Sequence, residues 1–141
     1  MNLYAESSAV LAWLLGESVQ AQIRAALASA EMVVTSDLTL IECDRAIWRA
    51  ATRGTTTKEA ASDLKARLAH FTVFWTILRQ SREIVERARQ PFPGEPIRAL
   101  DALHVASALS ARARLPDLAV LSLDERVRRV ARNLGLSLLP N

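Results

Sequence analysis

Short apolar runs and longer helical patterns alternate from one end of the chain to the other, and that alternation leaves few folds open. Residues 2–5 read as a strand, and residues 8–15 follow as a helix that Gly16 ends, since glycine accepts the left-handed turn at a helix stop. Ser18 is placed to cap a second helix whose Val19, Ile23, Ala26, Leu27 and Ala30 share one face. Residues 32–35 read as a strand. Ser36 or Asp37 then opens a helix running to about Arg53, with Gly54 as its stop. Residues 55–57 start another helix, striped by Ala60, Ala61, Leu64, Leu68 and Phe71. The stretch 72–78 is aromatic and β-branched, the composition of a strand. A helix over 81–90, a Pro/Gly loop through Pro91, Pro93, Gly94 and Pro96, and a nearly all-apolar helix over 100–113 come next. A strand over 119–123, a helix over 124–134 stopped by Gly135, and a strand over 136–139 close the chain. Such alternation predicts an α/β fold: a mostly parallel central sheet of about five strands with helices on both faces. With 141 residues, no linker and no repeat, residues 1–141 are expected to form a single domain.

Half of the residues are apolar, so the chain can bury a core. No apolar run approaches the ~20 residues of a membrane span, and the start lacks the basic flank and cleavage site of a signal peptide. A cytoplasmic protein is expected. The single cysteine, Cys43, excludes an internal disulfide and any zinc-ligand spacing, and it reads as a small buried hydrophobe. Net charge is +3, and all 18 basic residues are arginine except Lys58 and Lys65. Arginine suits bidentate contact with phosphate, so the composition is compatible with a nucleic-acid partner without demanding one.

Four carboxylates, Glu6, Glu42, Asp101 and Asp124, sit where a strand-like run ends or a helical pattern begins. In an alternating strand–helix fold those places lie along one edge of the sheet, where ligands bind. Taken singly each acid has a bland role: Asp101 and Asp124 as first-turn caps, Glu42 closing a capping box with Thr39, Glu6 as a solvated strand end. Together they read differently. Glu42 is flanked by Leu40, Ile41 and Cys43, and Asp101 by Leu100, Ala102 and Leu103. Unpaired carboxylates in apolar surroundings are costly, and several of them imply a bound divalent metal or raised pKa values. His104, three residues after Asp101 on an apolar helix, reads as a packed, hydrogen-bonded histidine, and Trp13, Trp48 and Trp75 as core or interface anchors. Gly16, Gly54, Gly94 and Gly135 form no phosphate-cradling loop. Lys58 and Lys65 sit on a mid-chain helix, not at the late strand end that a receiver-type phosphorylation domain requires.

The segments around these acids resemble those of PIN-domain ribonucleases, and among them the VapC toxins of toxin–antitoxin pairs. The resemblance is carried by Tyr4-Ala5-Glu6-Ser7-Ser8, by Thr39-Leu40-Ile41-Glu42, and by Arg98-Ala99-Leu100-Asp101-Ala102-Leu103-His104-Val105-Ala106. The last segment is Ser122-Leu123-Asp124-Glu125-Arg126, closed by Leu134-Gly135-Leu136. The third motif is the most specific. The resemblance implies a Mg²⁺-dependent (or Mn²⁺-dependent) endoribonuclease, the toxin of a VapBC-type pair, with Glu6, Asp101 and Asp124 on the metal and Glu42 completing the site. It further implies Ser7 and Ser122 bonded behind the acids, and Arg45, Arg49, Arg98 and Arg126 contacting RNA or a partner. The partners implied are an RNA substrate, a small VapB-like antitoxin and a second copy in a homodimer, the latter two covering the apolar stripes of 19–30 and 55–71. One position departs from the pattern: the family's first acid is usually Asp, and here it is Glu6. The extra methylene moves the carboxylate by roughly 1 Å, which matters to an ion that demands near-ideal octahedral geometry. The competing expectations are a catalytically weakened PIN-fold protein that binds RNA or a partner, and an RNA-processing nuclease without an antitoxin.

Overall fold

The computed structural model describes all 141 residues. Its elements are β1 (Asn2–Ala5), α1 (Ser7–Leu15), α2 (Gln20–Ser29), β2 (Met32–Ser36), α3 (Asp37–Thr52) and α4 (Lys58–Thr72), followed by β3 (Thr76–Leu78), α5 (Arg82–Ala88), α6 (Ala99–Arg112), β4 (Ala119–Leu121), α7 (Glu125–Asn133) and β5 (Ser137–Leu139). The five strands form one sheet in the order β3-β2-β1-β4-β5, and every pairing is parallel. Parallel neighbours need crossover connections, and helices supply them. β1 lies in the middle, so the chain winds outward from it in both directions. The reversal between β1 and β4 leaves a crevice at the carboxyl ends of the strands, the usual ligand position in such sheets.

Both faces of the sheet are covered, as the apolar strands require. Side chains alternate across each strand. Leu3, Ala5, Val33, Ala119 and Leu121 pack with Val10, Trp13, Ile23, Ile47 and Leu68 from α1 to α4. Tyr4, Val34 and Val120 pack on the opposite face with Ile84, Val105, Val127 and Val130 from α5, α6 and α7. Cys43 is buried in the first of these cores, and burial pushes its thiol pKa well above the ordinary value. No helix is long and apolar enough to cross a membrane.

Helix starts follow the hydroxyl signals. Ser36 Oγ accepts from Thr39 N at 3.4 Å, Thr57 Oγ1 from Ala60 N at 3.0 Å, and Ser81 Oγ from Ile84 N at 3.3 Å. Gly16 closes α1 with φ of 71°, a left-handed conformation that a Cβ would strain. Three local readings need correction. α2 starts after Val19 without a side-chain cap, so Ser18 does not serve there. Thr39 lies inside α3 and Ser36 is its cap, which leaves no capping box for Glu42. The strand expected over 72–78 is only Thr76–Leu78, because α4 runs through Thr72 and a turn follows, with Phe74 N on Phe71 O and Trp75 N on Thr72 O. Phe71 stands edge-on to Trp13 with ring centroids 4.9 Å apart, which anchors the end of α4 on α1.

Candidate active site

The first acid stands where β1 gives way to α1. Glu6 is the N-cap of α1, and its Oε1 accepts from Ser8 N at 3.1 Å and from Ser7 Oγ at 2.6 Å. Its Oε2 accepts from Ser122 Oγ at 2.7 Å and from Ser8 Oγ. Three hydroxyls and a backbone N–H thus cage a carboxylate that is only 4% exposed. The same serines lace the ends of β1 and β4 together: Ser8 Oγ accepts from Leu123 N at 2.8 Å, and Ser122 Oγ from Asp124 N at 3.1 Å. Ser7 and Ser122 thus both donate to the Glu6 carboxylate. Ser8 does as much, although its sequence context marks it no more than any hydroxyl in a first helical turn.

Glu42 projects from the second turn of α3, partly exposed, toward the same place. Its Oε1 lies 3.1 Å from Ser7 Oγ and 2.5 Å from His104 Nε2. The other imidazole nitrogen, Nδ1, lies 3.0 Å from the Tyr4 hydroxyl, which also contacts Ser36 Oγ at 3.2 Å. His104 is buried and hydrogen-bonded, as its apolar helix implied; its partners were not readable from sequence.

Asp101 lies in the first turn of α6, buried, and its Oδ2 has no hydrogen-bond partner. The nearest cation is Arg126 Nε at 3.5 Å. Burial pushes the Asp101 carboxyl above the usual carboxylate range, and the negative charges of Asp124 and Glu6 add to this against the opposing pull of Arg126. Asp124 caps α7: Oδ1 accepts from Arg126 N at 2.8 Å and Val127 N at 3.4 Å, while Oδ2 meets Arg126 Nη2 at 3.3 Å. Burial works to raise its pKa but is outweighed by these N–H groups and the guanidinium, which hold it below the usual range.

The four acids therefore fall into two linked pairs along one sheet edge. Glu6 and Glu42 share the Ser7 hydroxyl; Asp101 and Asp124 share the Arg126 guanidinium. No three His, Cys, Asp or Glu side chains form a ready-made metal-holding group. The reason is local. Glu6 is turned into its hydroxyl cage, and a guanidinium stands where Asp101 and Asp124 attract a cation. Arg126, expected to contact RNA or a partner, lays its partly exposed guanidinium against both acids. Arg45, Arg49 and Arg98 are exposed. A concavity of about 560 Å³ beside β3, α5 and α6 contains none of the four acids.

The PIN domain family model matches residues 3–133. Among solved structures, FitAcB from Neisseria gonorrhoeae aligns with a TM-score of 0.69 at 18% identity, covering 99% of this chain and 97% of that one. VapBC2 from Rickettsia felis, bound to a DNA fragment from its promoter, aligns at 0.64 with 14% identity over 98% and 97% of the two chains. VapC20 from Mycobacterium tuberculosis, a toxin that cleaves the sarcin–ricin loop, aligns at 0.61 with 15% identity over 90% and 93%. No curated protein matches this sequence. At such identities these structures speak for the fold. The family match itself spans β1 through α7 and includes all four acids and the serines that hold them, and the chain belongs to the PIN domain family.

Proposed function

We propose that the chain is a metal-dependent endoribonuclease that acts as the toxin of a VapBC-type pair. The observation that carries the reading is the Asp101 carboxylate: buried, with Oδ2 lacking any hydrogen bond, and set beside Asp124 at the sheet's switch point. Such a group is under-compensated, and hard carboxylate oxygens suit Mg²⁺ or Mn²⁺. Carboxylate oxygens suit the ion, although no three of them stand ready around one point. Asp101 and Asp124 would hold it once Arg126 swings aside. Glu42 would complete the site, and Glu6 would join if its side chain leaves the hydroxyl cage. Bound there, the metal would offset phosphodiester charge and lower the pKa of the attacking water.

The residues of the chain do the rest. Glu42, held by His104 and with the Ser7 hydroxyl nearby, presents its carboxylate toward the crevice. Ser7 and Ser122 restrain Glu6, and Arg126 offsets part of the acidic charge on Asp101 and Asp124. Arg45, Arg49 and Arg98, exposed around the site, are suited to RNA phosphates.

The partner reading rests on the likeness to VapC toxins and is supported by structural relatives: VapBC2 is bound to a fragment of its promoter DNA, and VapC20 is a toxin. A small VapB-like antitoxin is accordingly the expected partner, with a homodimer as the assembly. Purified protein should cleave members of a broad RNA panel only with Mg²⁺ or Mn²⁺, and folded Glu42→Gln and Asp101→Asn variants should be inactive. Expression alone should arrest growth. The Glu6 cage and the Arg126 guanidinium against the acids favour one rival, a PIN protein that binds RNA or a partner without cutting. Folded wild-type protein that binds RNA yet cleaves nothing with either metal would establish that rival.

A further inference from the structure

The α6 helix needs no polar side chain at position 104: its neighbours Val105, Ala106 and Ala108 are buried apolar residues, and a leucine there would avoid burying two ring nitrogens. Yet His104 is 2% exposed and has a partner on each nitrogen. Toward the core, Nδ1 meets the hydroxyl of Tyr4, a side chain with no exposed surface at all. Toward the crevice, Nε2 meets Glu42 Oε1. The Tyr4 hydroxyl is held in turn by Ser36 Oγ, from the residue that also caps α3. A chain of contacts thus runs from the start of α3, through β1 and α6, and back to the α3 carboxylate that faces the crevice.

We infer that His104 is a positioning residue, fixing the Glu42 carboxylate through a buried Ser36–Tyr4–His104–Glu42 hydrogen-bond chain. The inference rests on the nuclease reading for the role of Glu42, though the chain itself is a property of the metal-free protein. A carboxylate oxygen accepts, so Nε2 donates to Glu42. Nδ1 meets the Tyr4 hydroxyl, which is itself hydrogen-bonded to Ser36 Oγ. The ring orientation is set from inside the core, where water does not compete, and it is read out at a side chain that is itself 28% exposed. Without that donor, the Glu42 side chain is free to sample rotamers away from the site.

Two measurements test this. Long-range ¹H–¹⁵N spectra of the metal-free protein should show His104 donating from Nε2, with slow proton exchange that Glu42→Ala speeds and Tyr4→Phe loosens. In cleavage assays, His104→Leu should lower kcat about tenfold or more with KM within about twofold, as expected for a lost positioning bond. His104→Gln, which keeps a donor, should recover part of the loss, and Tyr4→Phe should fall between wild type and His104→Leu. A purely structural histidine would lower stability in all three variants without separating Gln from Leu in kcat. An Nε2 signal indifferent to Glu42→Ala, or full activity in folded His104→Leu or Tyr4→Phe, overturns the inference. Wild-type protein that cleaves no RNA would instead sink the nuclease reading, with the spectra still deciding the His104–Glu42 link.

Discussion

Asp101 and Asp124 carry the same functional group and both lie against the Arg126 guanidinium, yet their surroundings drive them in opposite directions. Asp124 receives two backbone N–H groups at the start of α7, whereas Asp101 Oδ2 receives none. A raised carboxyl pKa means that the folded chain holds its proton more tightly than the unfolded chain does. Stability therefore falls as pH rises from the ordinary carboxylate range through the raised value, and at neutral pH the ionised Asp101 opposes folding. Asp101→Asn should then stabilise the metal-free protein at neutral pH, with the gain shrinking below the ordinary carboxylate range. Denaturant melts at several pH values check this, and a destabilised neutral-pH variant would contradict it. Asp124 has the opposite sign: its lowered pKa contributes stability above the ordinary carboxylate range that is lost as pH falls through the lowered value. Asp124→Ala should cost about 1 kcal/mol as a lost cap. The four acids were legible because strand ends and helix starts are visible in sequence. The serine cage and the turn of Arg126 onto two acids were not, because side-chain direction is set by neighbours that only the fold supplies.

At the scale of elements, Ser36 does two things at one strand end. It caps α3, the helix that carries Glu42, and it contacts the Tyr4 hydroxyl in the core. Ser36→Ala leaves Thr39 N without its side-chain acceptor and the buried Tyr4 hydroxyl short of a partner. A loss of about 1–2 kcal/mol is expected, larger than for Thr57→Ala at the exposed cap of α4. Equilibrium unfolding of the two variants compares them directly, and equal losses would mean that the Tyr4 contact contributes nothing. Local sequence announced this cap, the Gly16 stop and β1 itself, since each depends on residues adjacent in the chain. It misplaced the segment 72–78 because a turn follows α4, with Phe74 N on Phe71 O and Trp75 N on Thr72 O, and only Thr76–Leu78 is left to pair with β2.

The order of the five strands lies beyond any local pattern, since it depends on which way each crossover turns, yet that order is what gathers the acids onto one edge. It also decides which arginines matter. On α3, Arg45 and Arg49 follow Glu42 by three and seven residues, spacings that place them along one helix face with the acid. Both are exposed, so their charge faces solvent beside the crevice. A single-stranded polyanion reaching Glu42 would pass them, and each phosphate neutralised releases counterions, which makes binding depend on salt. Replacing both by serine should weaken RNA binding and flatten the slope of log affinity against log salt by about 0.7 for each arginine. The measurement is best made with the Asp101→Asn protein, which should not cut its ligand, and with fluorescence anisotropy at several salt concentrations. An unchanged slope would move the RNA path off α3, toward the exposed Arg98 at the start of α6.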